Sequence, residues 1–176
     1  MAGVEIRDAT VADAGAIARV HVSSWRAAYA ALLPPAVLDG LSVAQRTRIW
    51  RRVLDPASAD RVAVAEHDGV VVGFAHVGPA HDADVDPSTG QLRTLYLAPG
   101  SWGRGIGRQV HDAGLARLAD AGCVRAVLWM LSTNARAARF YERRGWVRDG
   151  RIRVQQFGGA VVIDHRWQRV LTAEGE

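Results

Sequence analysis

The stretch Leu95-Tyr96-Leu97-Ala98-Pro99-Gly100-Ser101-Trp102-Gly103-Arg104-Gly105-Ile106-Gly107-Arg108 decides the reading of this chain. An apolar strand pattern runs into Pro99-Gly100, which stops it, and three glycines spaced by two follow. Glycine permits tight turning and close approach of a ligand to the backbone. The last glycine opens a helix expected to reach about Ala121. Its free N–H groups and the positive end of its dipole therefore sit at the turn. Strand, glycine turn and helix start make a pyrophosphate site, with fixed positive charge from Arg104 and Arg108 beside it. A dinucleotide fingerprint would need glycine where Arg108 stands, so that reading fails.

Working outward, Val4–Arg7 reads as a strand. Thr10, with Asp13 three residues on, caps a helix. Its apolar face carries Ala14, Ile17, Ala18, His21, Trp25, Ala28, Tyr29 and Leu32, and Pro34-Pro35 ends it. Ser42 caps a second helix through about Leu54. Arg61–Glu66 and Val70–Val77 read as strands joined at the Asp68-Gly69 turn. His81–Gly90 is an acidic loop, and Leu92–Leu97 is the strand before the glycine turn. Val124–Leu131 is apolar enough for burial on both faces. Asn134–Arg144 forms a short helix closed by Gly145, and Trp146–Arg148 and Val161–Trp167 are late strands. This order predicts a mixed α+β sheet rather than a doubly wound one.

Composition narrows the chemistry. The 176 residues make one domain, expected over residues 1–171 with a short tail at 172–176. All 22 basic residues are arginine, which excludes a Walker A loop, a Schiff base and any lysine catalyst. The single cysteine, Cys123, excludes an internal disulfide and a cysteine-based zinc site, and reads as a small buried hydrophobe. No signal core and no run near the ~18 apolar residues of a membrane span are present, so a soluble cytoplasmic protein without a membrane partner is expected.

Charge is uneven: 8 arginines face 11 acids over residues 1–90, and 14 face 7 over residues 91–176. An anion therefore belongs with the second half. The arginines lack a reader motif or an aromatic stacking pattern, so nucleic acid is not expected. The run His81-Asp82-Ala83-Asp84-Val85-Asp86 lacks the glycine and glutamate of an EF-hand at Pro87 and Arg93. It reads as a solvated loop or as an acidic lip for a cationic acceptor. No metal is expected.

A second segment, Asn134-Ala135-Arg136-Ala137-Ala138-Arg139-Phe140-Tyr141-Glu142-Arg143-Arg144-Gly145-Trp146, opens on a good N-cap residue. Its tyrosine rises from a face of small residues. Alone it reads as a packed amphipathic helix. Together the two segments resemble the GCN5-related N-acetyltransferase superfamily. The first half of the resemblance is Trp102-Gly103-Arg104-Gly105-Ile106-Gly107. The second is Asn134, Ala137, Phe140, Tyr141, Gly145 and Trp146, and the matched region covers residues 91–148.

The resemblance implies a mixed, mostly antiparallel central sheet flanked by helices on both sides. It implies acetyl-CoA as donor co-substrate, with its pyrophosphate on Trp102, Gly103, Arg104, Gly105, Ile106, Gly107 and Arg108. The pantetheine arm would lie along Leu95, Tyr96 and Leu97, whose amides near Leu97 can stabilise an oxyanion. Asn134 would bond the arm or order water, and Tyr141 would protonate the departing thiolate. Two positions depart from the family pattern: Trp102 stands for arginine or glutamine, and Gln91 stands for the frequent glutamate base. His76 and Glu66 are the remaining candidates for a base. Trp25, Tyr29, His76 and Gln91 are expected at the acceptor side.

The expected activity is direct acetyl transfer to a primary amine of a small molecule or peptide, with a homodimer possible in such a family. The position of Cys123 outside the matched residues argues against a covalent intermediate. The alternative is a non-catalytic module that binds acyl-CoA.

Overall fold

The computed structural model describes residues 3–157 and 159–171, so the expected tail at 172–176 lies outside the described residues. Seven strands form one sheet: β1 (Glu5–Asp8), β2 (Arg61–His67), β3 (Val70–Pro79), β4 (Thr89–Leu97), β5 (Arg125–Leu131), β6 (Val147–Phe157) and β7 (Ala160–Val170). Their order is β1-β2-β3-β4-β5-β7-β6. Only the β4–β5 contact is parallel, and all others are antiparallel. The architecture is the mixed, mostly antiparallel α+β sheet expected from the sequence.

Helices α1 (Ala14–Ala28), α2 (Pro35–Asp39) and α3 (Val43–Val53) precede β2. Ile17, Ala18 and Trp50 bury against Val62, Val64 and Phe74 on one face of the sheet. Helix α4 (Ile106–Asp120) covers the other face, where Ile106, Val110, Leu115 and Leu118 meet Ala75, Val77, Leu92 and Leu128. Helix α5 (Ala135–Glu142) joins this second cluster through Tyr141.

Several local expectations change. Helix α1 stops at Ala28 rather than Leu32, and Pro35 opens α2. A proline at the first helical position has no N–H to waste and its φ is already helical, so the pair starts a helix as well as ending one. Strand β4 begins at Thr89, inside the expected loop. Gly90 is there for close packing: a Cβ would fall 2.5 Å from Leu118 and 3.1 Å from the Cys123 sulfur. Cys123 is half-buried against this core rather than fully enclosed. Strand β6 runs to Phe157, far past Arg148, as an edge strand whose outward side chains tolerate charge. The Asp68-Gly69 turn forms as expected, both residues at positive φ (51° and 75°), which matches a type I′ hairpin.

The acidic loop is largely exposed, as a solvated loop would be, but Asp82 and Asp84 are not a free lip. Asp84 accepts two hydrogen bonds from the buried Arg166 guanidinium at 2.8 Å each, and Arg166 also donates to Asp149 at 2.6 Å. Asp82 accepts from the Trp129 indole at 3.2 Å. Arg166 holds the Asp84 carboxyl down to about 2, below the usual carboxylate range. Asp82 and Asp84 are thus paired with Arg166 and fasten the loop to β5 and β7.

One buried titratable group makes the fold sensitive to acid. His21 is buried on α1 and accepts a hydrogen bond at Nδ1 from the Trp50 indole at 3.3 Å, tying α1 to α3. Burial, and secondarily Arg46, hold its pKa down to about 3. The unfolded chain takes up this proton near pH 6.5 and the folded chain does not until far lower, so stability is lost as pH falls. Between pH 7 and pH 5 this costs about 2 kcal/mol. Denaturant unfolding of His21→Asn should show a shallower acid loss than the parent. Equal losses in both would remove His21 as the cause.

Candidate active site

The sheet opens in its middle. Strands β4 and β5 pair only from Thr89 opposite Arg125 to Gln91 opposite Val127. Just beyond, β4 carries a bulge: His76 of β3 faces Thr94 but Val77 faces Leu92, so Arg93 has no partner across the ladder. An extra residue bends and twists its strand. From there β4 stays with β3 up to Leu97, while β5 stays with β7 up to Leu131 opposite Asp164. The result is a V-shaped gap between unpaired stretches of the two strands, within a cleft of about 910 Å³.

The exposed backbone of β4 faces this gap. The Ala98 N–H donates to the Val72 carbonyl at 2.8 Å, so alternation turns the N–H and C=O of Leu95 and Leu97 away from β3. Trp102 folds back and donates its indole N–H to the Leu97 carbonyl at 3.0 Å. The Trp102 ring is in turn covered by the Arg136 guanidinium, 3.8 Å from its centroid. A guanidinium from α5 thus stands beside the turn at the position where Trp102 departs from the family pattern.

Two glycines shape the turn into α4. Gly103 and Gly105 adopt φ of 75° and 79°, the left-handed region that residues with a Cβ avoid. The amides of Ile106 and Gly107 lie ahead of the first intrahelical bonds of α4 and stay available to a ligand. Arg108 lines the cleft, whereas Arg104 is exposed and Ile106 is buried in the core, both outside the lining.

Three phenols meet at the gap. Tyr141 rises from α5, Tyr96 from β4 and Tyr29 follows α1, and all three line the cleft. Burial pushes each phenol above its ordinary pKa, so all are protonated at neutral pH and act as donors. Asn134 stands at the start of α5, where its Oδ1 accepts from the Ala137 amide at 3.1 Å. The cap uses the oxygen and leaves the Nδ2 hydrogens for the cleft that Asn134 lines.

The remaining predicted residues divide. Trp25 and Tyr29 line the cleft, their ring centroids 4.9 Å apart. His76 and Gln91 do not. His76 is buried with Nε2 3.0 Å from an Asp60 carboxylate oxygen, and Trp50 packs on it edge to face at 5.4 Å. Gln91 accepts from Arg93 at 3.2 Å, on the paired side of the bulge. Glu66 receives Arg7 at 2.7 Å, far from the cleft in a cluster with Asp13.

Asp164, Arg153, Gln155, Phe157 and Arg136 also line the cleft and were not singled out from the sequence. The signal for four of them was present as a period of two: Arg153, Gln155 and Phe157 on β6 share a face with Asp164 on β7. Reading β6 as three residues long concealed it. Among the described lining residues Asp164 is the only carboxylate, against six arginines, and none is histidine. No helix among the described residues is long and apolar enough to cross a membrane.

The pattern of the Acetyltransferase (GNAT) family matches residues 23–146, and the chain belongs to that family. An uncharacterized N-acetyltransferase of Mycobacterium tuberculosis is 33% identical over 150 residues, covering 85% of this chain and 83% of the relative. The uncharacterized N-acetyltransferase YuaI of Bacillus subtilis is 30% identical over 132 residues, or 74% and 73% of the two chains. In fold the chain is similar to the acetyltransferase yncA from Salmonella typhimurium, solved with its cofactor acetyl-CoA. That likeness has a TM-score of 0.72 at 22% identity and covers 99% and 97% of the chains. Nothing in these relatives supports a non-catalytic module.

The two kinds of glycine in the turn should respond differently to alanine. Gly105→Ala places a Cβ in the left-handed region and should cost roughly 1–2 kcal/mol. Gly107→Ala meets only ordinary contacts at 3.5 and 3.7 Å inside a helix and should be neutral or stabilising. Chemical denaturation of both variants measures the contrast, and equal losses would mean that backbone strain is not what holds the glycines there.

Proposed function

We propose that this acetyltransferase binds acetyl-CoA in the gap between β4 and β5 and transfers the acetyl group directly to a primary amine. The observation that carries the reading is the gap itself: an unpaired strand edge leading to a glycine turn and helix start, with a buried phenol beside it. The residues fit such a donor. Leu95 and Leu97 offer unpaired backbone groups for the amides of its arm. Gly103, Gly105 and Gly107, backed by Arg108 and Arg136, offer amides and charge for its phosphates.

When bound, acetyl-CoA supplies an acetyl group already activated as a thioester. The chain's own part is positioning and proton delivery. Asn134 presents its amide hydrogens to the arm while its oxygen caps α5. Tyr141, kept protonated by burial, gives its proton to the sulfur as the C–S bond breaks, and solvent restores it. The attacking nitrogen forms the new N–C bond and releases one proton to water. The six lining arginines balance the negative charge of the donor.

Isothermal calorimetry should detect acetyl-CoA binding, and an absence of heat and of any thermal shift at millimolar ligand would end the proposal. Tyr141→Phe should lower kcat substantially while leaving acetyl-CoA affinity almost unchanged. An unchanged kcat removes Tyr141 from the acid role. At position 134 the two duties separate: Asn134→Ala should lose about 1 kcal/mol of stability with the cap. Asn134→Asp keeps a capping oxygen, so it should keep stability and weaken only acetyl-CoA binding. Parallel denaturation and binding curves distinguish them.

A further inference from the structure

The acceptor end of the cleft holds an ion pair that the transfer chemistry above does not use. Arg153 on β6 and Asp164 on β7 face each other across the hairpin, with a guanidinium nitrogen 2.7 Å from the Asp164 Oδ2 oxygen. Gln155 donates to that same oxygen. The Arg153 guanidinium lies over the Trp129 ring, 4.6 Å from its centroid, so its plane is held from behind. Asp164 is nearly covered, with 11% of its side chain exposed, whereas Arg153 keeps 43% open to the cleft. The Oδ1 oxygen of Asp164 has no hydrogen-bond partner among the described residues.

Around this pair the wall is apolar. Leu33 and Val162 pack together with Trp25 and Phe157, whose ring centroids lie 6.2 Å apart. Three buried polar atoms of lining residues, Trp25 Nε1, Thr94 Oγ1 and Arg144 Nε, have no partner among the described residues. Unpaired buried donors of this kind are ordinarily satisfied by a ligand or water.

Resting on the acetyl-transfer reading above, we infer that the acceptor is a free amino acid with an apolar side chain. An adjacent fixed cation and anion are complementary to a zwitterion whose two charged groups are borne on one carbon. The acceptor carboxylate docks on the open fork of Arg153, and its ammonium on Oδ1 of Asp164. Its side chain enters the aromatic and aliphatic wall. Before attack the ammonium loses one proton to water, leaving a neutral amine beside the gap. Polyamines and other polycations are disfavoured, because one carboxylate stands against six arginines in the same cleft.

Initial rates of CoA release decide the matter, with free phenylalanine, leucine and methionine compared against phenethylamine, phenylalanine amide and spermidine. The wild type should prefer the free amino acids by about 10- to 100-fold in kcat/KM, the scale of one charge-assisted contact pair. Arg153→Gln should raise KM for phenylalanine by a similar factor and leave KM for phenethylamine unchanged. Asp164→Asn should raise KM for both, with calorimetry showing intact acetyl-CoA binding in either variant. Equal use of phenethylamine and phenylalanine, or equal effects of Arg153→Gln on the two, overturns the inference. So does an absence of turnover with every free amino acid when acetyl-CoA still binds. Failure of the wild type to bind acetyl-CoA instead overturns the reading beneath it.

Discussion

Everything at the site depends on one break in backbone pairing. A parallel contact of three residues joins β4 to β5, and the Arg93 bulge then turns β4 away while both strands keep their other neighbours. Buried backbone N–H and C=O groups are normally paired, so an internal strand edge left open is an unmet demand for hydrogen bonds. The chain meets part of it with the Trp102 indole on the Leu97 carbonyl. The rest is what the proposed donor, an extended ligand with amides of its own, would meet. Because the gap passes through the sheet, it also joins the two hydrophobic clusters. Leu95 and Leu97 pack with the α4 cluster, whereas Tyr96 between them packs with the α1 cluster. In the proposed reading, one strand would therefore meet the donor on one side and the acceptor on the other.

The sequence was most legible where backbone conformation dictates residue type. Gly103 and Gly105 are required by positive φ, and Asn134 by its capping bond, so strand, turn and helix starts emerged from spacing alone. The end of the cleft at the glycine turn followed from them together with the family resemblance, although Arg104 and Ile106 fall outside its lining. The acceptor half was far less visible. Helix α1 gave Trp25 and Tyr29, but Asp164, Arg153 and Gln155 come from an edge hairpin whose other face is solvent. There, alternate side chains obey water rather than a core, and charged residues disguise the strand. His76 illustrates the converse. A histidine on a strand invites a catalytic reading, but alternation along β3 sets His76 on the same face as Phe74, where Asp60 and Trp50 enclose it.

The exclusive use of arginine acquires a physical sense in the folded chain. Five guanidinium groups lie over aromatic rings: Arg136 on Trp102, Arg144 on Phe140, Arg148 on Trp167, and Arg153 and Arg166 on Trp129. Lysine is a hydrated point charge and stacks poorly, whereas the planar fork packs on a ring and still donates in its own plane. Arg166 does both at once, reaching Asp84 and Asp149 from its place over Trp129. Arg153 does the same with Asp164.

This arrangement also explains how a cleft can be strongly basic and still discriminate. A field of mobile charges would attract any anion and would repel any ammonium without regard to its position. Here the guanidinium groups at the β6–β7 end are clamped by rings and carboxylates, so their charge is directional. Arg166 is spent on Asp82 and Asp84 of the loop and on Asp149 of β6, which leaves Arg153 as the clamped cation with an open side facing the apolar wall. Electrostatic attraction for the donor can then come from Arg108 and Arg136 at the far end, while a single fixed dipole governs the near one. The charge imbalance first seen between the halves of the sequence resolves into two separate fields within one cleft.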